Sequence, residues 1–235
     1  MEEFVRVPLP QTNCYLLPGK NGWLLVDCGS PGDEAALLSA LRRANVPLSA
    51  VRWLFLTHHH RDHCGLLSWI LAQNPAVRII ASAKCMAYVE TGRNHHPAGE
   101  QYASAGLRLA FGLYGRCGGQ LDGTYSACRA RAGDVLLQDA FGALPDAVGI
   151  AGRVLLTPGH TEDSATLIVG ENAFAGDAAR NLLNGLGAPR QPVLLYDRAA
   201  CFASWERIVS TGVRRVCPGH GRCFRAELLR RVPGM

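Results

Sequence analysis

The sequence predicts a layered α/β domain, and three observations carry that prediction. Short apolar runs bounded by turn residues recur along the 235 residues. Stretches with apolar residues at helical spacing lie between them. The strands fall into two series, one ahead of residue 82 and a second beginning near Val135. Strands and helices interleaved in this way pack as sheets covered by helices. The apolar share of 48 % against 18 % charged is that of a globular chain long enough to bury a sizeable core.

In order, residues 4–7, 14–17 and 23–26 predict strands, short apolar runs set off by turn signals. Residues 33–44 predict a helix, because Pro31 and Gly32 precede it and Ala35, Leu38 and Leu41 recur on one face. Residues 51–56 form a buried strand by composition, delivering Thr57 and three histidines at its carboxyl end. A second helix opens near Asp62 and runs towards Leu71, and residues 77–81 are the next strand. In the segment 82–130, residues 84–91 and 101–111 read as helical and the glycine-rich piece 112–123 as a loop. Strands follow at 154–157, 165–169 and 173–175, then a helix at 199–211, a strand at 213–217 and a last helix at 227–232.

The formal net charge is +5, but the arginines behind it (among them Arg42, Arg43, Arg78, Arg129, Arg131, Arg214, Arg215, Arg230 and Arg231) are scattered, with no long basic run. A nucleic-acid partner is therefore not expected. The N-terminus lacks a basic start followed by an apolar stretch, and no apolar run reaches the roughly 18 residues of a membrane helix. A cytoplasmic protein without a membrane partner is the expectation. The nine cysteines are odd in number, irregular in spacing and free of any C-x-x-C, so neither a disulfide framework nor a zinc ribbon is indicated. They read as small buried residues or free thiols, with Cys64 directly beside His63.

The stretch LTHHHRDHCG at 56–65 holds four histidines and an aspartate in the six positions 58–63. Alternate residues of an extended segment share a side, so His58 and His60 can converge on one ion while His59 and Arg61 face away. Asp62 and His63 sit where the chain turns into a helix, better placed for a second ion. Catalytic zinc generally takes three protein ligands plus water, so further ligands are expected at later strand ends. His160 in PGHT, Asp177 in AGD and His220 in PGHG follow three of the predicted strands. No G-x-S-x-G is present to suggest a serine nucleophile.

With THHHRDH at 57–63, TPGHT at 157–161, AGD at 175–177, PGHG at 218–221 and the opening stretches NCYLL and LLVDCG, the sequence resembles the metallo-β-lactamase-fold hydrolases over nearly its whole length. The resemblance implies an αββα sandwich of two mixed β-sheets flanked by helices, a single domain over 1–235 with a variable insert around 82–130. It implies His58, His60 and His160 on a first metal, Asp62, His63 and His220 on a second, and Asp177 bridging them, with Asp62 and Asp177 as catalytic residues. Asp27 and Thr161 are expected to support the ligands. The expected cofactors are two divalent ions, zinc by default, with iron or manganese as alternatives. The best-studied lactamases carry a cysteine at the position of Asp177. The aspartate points to the glyoxalase II-like and lactonase-like branch, which implies hydrolysis of a thioester or lactone by water activated between the metals. A phosphodiesterase and an iron-dependent persulfide dioxygenase are the alternatives. Only one short helix is read after PGHG, so the longer C-terminal part of strict glyoxalase II members is not expected. Specificity is expected in the rim segments 82–130 and 178–200, with Tyr196 and Asn181 as candidate substrate contacts, a small molecule as the partner, and a homodimer as a possible assembly.

Overall fold

The structure is a computed structural model that describes residues 4–117, 123–138 and 141–230, with the backbone alone for Phe141. Its strands are β1 (Val5–Pro8), β2 (Asn13–Gly19), β3 (Gly22–Val26), β4 (Val51–Phe55), β5 (Arg78–Ser82), β6 (Gln101–Tyr102), β7 (Val135–Leu137), β8 (Phe141–Ala143), β9 (Gly152–Leu156), β10 (Ala165–Val169), β11 (Asn172–Gly176), β12 (Leu194–Leu195), β13 (Arg215–Pro218) and β14 (Phe224–Arg225). The helices are α1 (Glu34–Arg43), α2 (Arg61–Cys64), α3 (Leu67–Gln73), α4 (Ala83–Val89), α5 (Ala105–Arg116) and α6 (Arg198–Ser210).

Two six-stranded sheets result, ordered β1-β2-β3-β4-β5-β7 and β14-β13-β11-β10-β9-β8, with β12 and β6 forming a small ribbon. Both large sheets are mixed. In the first, β1, β2 and β3 are antiparallel and β3, β4, β5 and β7 parallel. In the second, β11 and β13 run parallel among antiparallel neighbours.

The period of two in each strand decides the layering. Tyr15, Leu17, Leu24, Val26 and Phe55 of the first sheet meet Val154, Leu167 and Phe174 of the second in one buried cluster between the sheets. Their chain neighbours Leu16, Leu25 and Leu54 face outwards, onto Leu37 and Leu41 of α1 and Ile70 of α3. On the far side, Leu155, Ile168, Ala173 and Ala175 face Trp205 and Ile208 of α6. This is the αββα sandwich that the resemblance implies. Each fully buried aliphatic side chain contributes about 1.5–3 kcal/mol, so all three interfaces are strongly held.

The opening strands and α1 lie within one or two residues of their predicted bounds. Five differences from the expected bounds follow. The helix expected from Asp62 to Leu71 is broken into α2 and α3 at Gly65. Gly65 lies against Pro31 and the carbonyls of Arg61 and Gly29, where no side chain fits. Residues 101–102 pair as a strand with Leu194–Leu195, and the helix starts only at Ala105, where the Ser104 hydroxyl accepts from the Leu107 N–H at 3.1 Å. That helix continues through Gly112 to Arg116, so the first part of the expected loop is helical. Residues 118–122 lie outside the described residues. Val135 does not begin the second sheet: β7 adds parallel to β5, Ile80 opposite Val135. Last, Ala226–Leu228 is a single 3-10 turn, and the end of the expected final helix, 231–232, lies outside the described residues. Among the described residues, no helix is long and apolar enough to cross a membrane.

The parallel pairs have a consequence for the site. β3 and β4 in one sheet, and β11 and β13 in the other, end on the same edge of the sandwich. The residues just beyond them, Asp27, His58 to His60, Asp177 and His220, are thereby gathered from distant parts of the chain.

Candidate metal centre

Asp27 leaves β3 with φ of 56°, a left-handed conformation that is uncommon outside glycine and enriched for Asp and Asn. This turn places its carboxylate against the next strand. One oxygen accepts the Thr57 N–H at 2.8 Å. The other accepts the Thr57 hydroxyl at 2.8 Å and His63 Nδ1–H at 2.7 Å. The Thr57 hydroxyl in turn meets His58 Nδ1 at 3.0 Å. His160 donates Nδ1–H to the Leu194 carbonyl and His220 donates Nδ1–H to the Gln11 carbonyl, each at 2.8 Å. Occupying Nδ1 in this way fixes the tautomer and leaves the Nε2 lone pair free.

The free atoms converge. His58, His60 and His160 form one group whose ligand atoms all lie within 4.8 Å of one another; His58, His63 and Asp177 form a second; Asp62, His63 and His220 form a third. His60 Nδ1 and His160 Nε2 are 3.0 Å apart. Asp177 lies 3.3 Å from His63 Nε2, 3.9 Å from His160 Nε2 and 3.3 Å from His220 Nε2, so it touches imidazoles of both outer groups. Asp62 lies 3.1 Å from His220 Nε2 and 3.6 Å from His63 Nε2. Gly219 is required here: a Cβ would press into the His63 ring and the Asp177 carboxylate.

Among the described residues, four buried atoms of this cluster, His58 Nε2, His60 Nε2, His63 Nε2 and Asp177 Oδ1, have no hydrogen-bond partner. Leaving one such group unsatisfied costs about 1–3 kcal/mol. A set of imidazole and carboxylate donors packed this closely, with lone pairs unspent, fits divalent metal ions. The electrostatics agree. Burial pushes His58 and His60 well below the usual imidazole range, helped by the neighbouring rings, so both present neutral nitrogen. Burial also opposes charge on His220, but Asp177 and Asp62 outweigh it and raise His220 to about 10. Burial opposes ionisation of Asp62 as well, and there His63 and His220 prevail and hold the carboxyl well below its usual range. Protons on these atoms compete with a cation for the same lone pairs.

His59 points the other way, into the packing between α4 and the loop after β9. Its Nδ1–H and its backbone N–H both go to the buried Asp163 carboxylate, at 2.8 and 2.9 Å. The His95 N–H donates to its Nε2 at 2.8 Å. Thr161 follows His160 directly in the chain. Its hydroxyl meets Ser164 at 2.6 Å and holds the turn that carries His160.

A cavity of about 280 Å³ opens over the cluster. Phe111, Tyr114, Leu182, Leu183 and Val193 supply its apolar wall, and His96 and Arg180 join the ligand residues on the polar side. Neither Asn181 nor Tyr196 lines it. The Asn181 amide bonds the Arg222 carbonyl and Asn184, at 2.9 Å each, and the Tyr196 N–H donates to the Gly159 carbonyl. The sequence places His96 and Arg180 in the rim segments without assigning either a role, and it gives no sign of Asp163 or of the carbonyls of Gln11 and Leu194. The carbonyls carry no sequence signal, because every residue has one. The other three follow no motif and reach their places through the α4–α5 insert and the loops after β9 and β11.

Comparison with known proteins supplies a family context. The family model described as "Metallo-beta-lactamase superfamily" matches residues 7–220. A probable metallo-hydrolase of Bacillus subtilis strain 168 is 42 % identical over 69 residues, 27 % of this chain and 21 % of that protein. A hydroxyacylglutathione hydrolase of Xylella fastidiosa strain 9a5c is 25 % identical over 194 residues, 81 % of this chain and 53 % of that protein. The chain thus spans no more than about half the length of these curated relatives. Among solved structures, a metallo-beta-lactamase family protein from Thermus thermophilus superposes with a TM-score of 0.63 at 25 % identity, covering 97 % of this chain and 77 % of that one. A metallo-beta-lactamase from Novosphingobium pentaromativorans gives 0.65 at 18 % identity, covering 93 % and 73 %, a likeness of fold.

Proposed function

The chain belongs to the metallo-β-lactamase superfamily, and on that premise we propose that it is a hydrolase that holds two divalent metal ions, zinc by preference, and cleaves a thioester or lactone. The observation that carries this reading is the convergence of His58, His60, His63, His160, Asp62, Asp177 and His220, with four of their buried polar atoms left without a hydrogen-bond partner among the described residues. His58, His60 and His160 would hold the first ion, Asp62, His63 and His220 the second, and Asp177 would face both. An aspartate in that place and the likeness to a hydroxyacylglutathione hydrolase favour an acylated thiol or a cyclic ester over other electrophiles.

Two ions held there would supply Lewis acidity, polarising a carbonyl oxygen and making water nucleophilic near neutral pH. The chain's own residues do the rest. Asp62 is the more exposed of the two carboxylates, 27 % against 12 % for the side chains, so it can accept a hydrogen bond from the attacking water and orient it. The apolar wall of Phe111, Tyr114 and Val193 receives an acyl chain and excludes bulk water. Arg180 is 1 % exposed, yet its Nε and Nη1 lack hydrogen-bond partners among the described residues and it reaches the cavity. It favours a substrate with a polar or anionic far end.

The test is a metal count on the purified protein followed by a chromogenic panel of thioester, lactone, β-lactam and phosphodiester. Two zinc ions per chain and turnover of a thioester or lactone are expected. One iron per chain, with oxygen consumed on a persulfide, defeats the proposal. Within the same assay His60→Ala removes turnover, because His60 stands in the first group of ligands. His95→Ala retains most of it, because the exposed His95 ring stacks on Tyr88 at 4.5 Å and faces no ligand atom. Full activity in His60→Ala would refute the assignment of the first metal.

A further inference from the structure

Two thiols that the sequence separates by five residues meet across the β13–β14 hairpin. The antiparallel register pairs Arg215 with Arg225 and Val216 with Phe224, so the next opposed pair is Cys217 and Cys223. Directly opposed residues of antiparallel strands have Cα atoms roughly 4.5–5.5 Å apart. That lies inside the span of about 4.4–6.8 Å over which a disulfide forms without moving the backbone. Both residues are free thiols, and their sulfurs are 3.2 Å apart.

The two sulfurs are not equivalent. Cys217 is fully buried between the sheets. Cys223 is half-buried and borders an open surface cleft of about 380 Å³ rimmed by Arg214, Arg215 and Arg225. Arg214 is paired with Glu171 at 3.1 Å and Arg225 with Glu227 at 3.3 Å, whereas the Arg215 guanidinium lies over the Phe4 ring, 5.9 Å from its centroid. The hydrogen bond with Cys217 lowers the Cys223 thiol to about 6 against its partial burial, with further help from Tyr15, Arg215 and Arg6. Cys217 is pushed up by the same contact and by burial. Thiolate character, access and positive surroundings thus coincide on one sulfur, the combination that marks a reactive cysteine.

We propose that Cys217 and Cys223 form a reversible dithiol–disulfide pair, and that Cys223 is the sulfur an anionic low-molecular-weight disulfide reaches through the arginine-rimmed cleft. The Cys223 thiolate attacks one sulfur of the reagent, forming a mixed disulfide and releasing one thiolate, which takes a proton from solvent. Cys217 then loses its proton, attacks the Cys223 sulfur and expels the second thiolate. The net change is two protein thiols and one small disulfide converted to one protein disulfide and two small thiols. The bond ties together the two ends of the loop that carries His220, and it stands independently of the hydrolase reading.

The test uses the full chain with its metals, glutathione disulfide as the probe, acid quenching, alkylation and peptide mass mapping. The wild type is expected to yield a Cys217–Cys223 bond, while the exposed Cys117 carries at most a mixed disulfide. Cys217→Ser should accumulate glutathione on Cys223, and Cys223→Ser should leave Cys217 unmodified. Arg215→Gln should slow the reaction with anionic glutathione disulfide by at least about threefold more than the reaction with neutral bis(2-hydroxyethyl) disulfide, which slows only through the smaller thiolate fraction of Cys223. Cys223 remaining alkylatable while Cys117 carries glutathione overturns the proposal. Equal slowing with both reagents overturns the role of the arginine cleft.

Discussion

Asp177→Ala abolishes turnover, with kcat/KM lowered at least about a thousandfold, equivalent to about 4 kcal/mol of transition-state stabilisation. The expectation follows from what the carboxylate touches. It lies between His63 and His220 on one side and His160 on the other, so it is the group shared by both proposed ion positions. Removing it deletes one negative charge and one buried, unsatisfied acceptor from a cluster of imidazoles. The metal content should fall below two per chain, and further as the pH drops, because protons compete for the remaining lone pairs. Asp177→Asn separates charge from size, since it keeps the volume and should still lose most of the metal. Metal analysis beside kinetics checks both variants. A fully loaded and active Asp177→Ala protein would remove Asp177 from the reaction.

The second large effect falls on stability and comes from a residue outside the cavity. Asp163 is fully buried and accepts both the His59 backbone N–H and His59 Nδ1–H. Asp163→Ala strands two buried donors, each at about 1–3 kcal/mol. A loss of about 2–4 kcal/mol is expected, a drop in Tm of roughly 5–15 °C for a chain of this size. The sign of the pH dependence is set by the carboxylate. Burial would raise the Asp163 pKa, but the His59 hydrogen bond and Thr161 hold it below its usual value. Its contribution is therefore present above the unfolded value of about 3.9 and disappears as pH falls through the lower folded value. The gap between wild type and variant should be widest near neutral pH and narrow below about pH 4. Thermal unfolding followed across pH measures it. Because His59 sits between His58 and His60, its release should also lower metal content. A variant with unchanged Tm would mean that the pair carries no stability.

Much of the site was legible because its signals are local. Histidines at alternate positions after a β-branched and apolar run, and Pro-Gly-His turns after later strands, report ligand type and strand ends together. The bounds of β1 to β4 and α1 were legible for the same reason, since periods of 2 and 3.6 are written into consecutive residues. The errors lie where distant partners overrode local preference. Gly112 and Gly115 suggested a loop, yet α5 carries them inside a helix that Ser104 caps. Val135 looked like the start of a second sheet, yet β5 offered it an open parallel edge.

By itself, the sequence determined which atoms could bind a metal, in what order along the chain, and which faces of the strands are apolar. Only the tertiary structure decided that β3 and β4 end beside β11 and β13, so that those atoms meet, and that His59 turns away to Asp163. It also decided that Cys217 and Cys223 stand opposite one another, and that His96 and Arg180 reach the cavity. The physical reason is that ligand chemistry and periodicity belong to single residues and their neighbours. Sheet register, backbone acceptors and cavity walls belong to pairs of residues that only packing brings together.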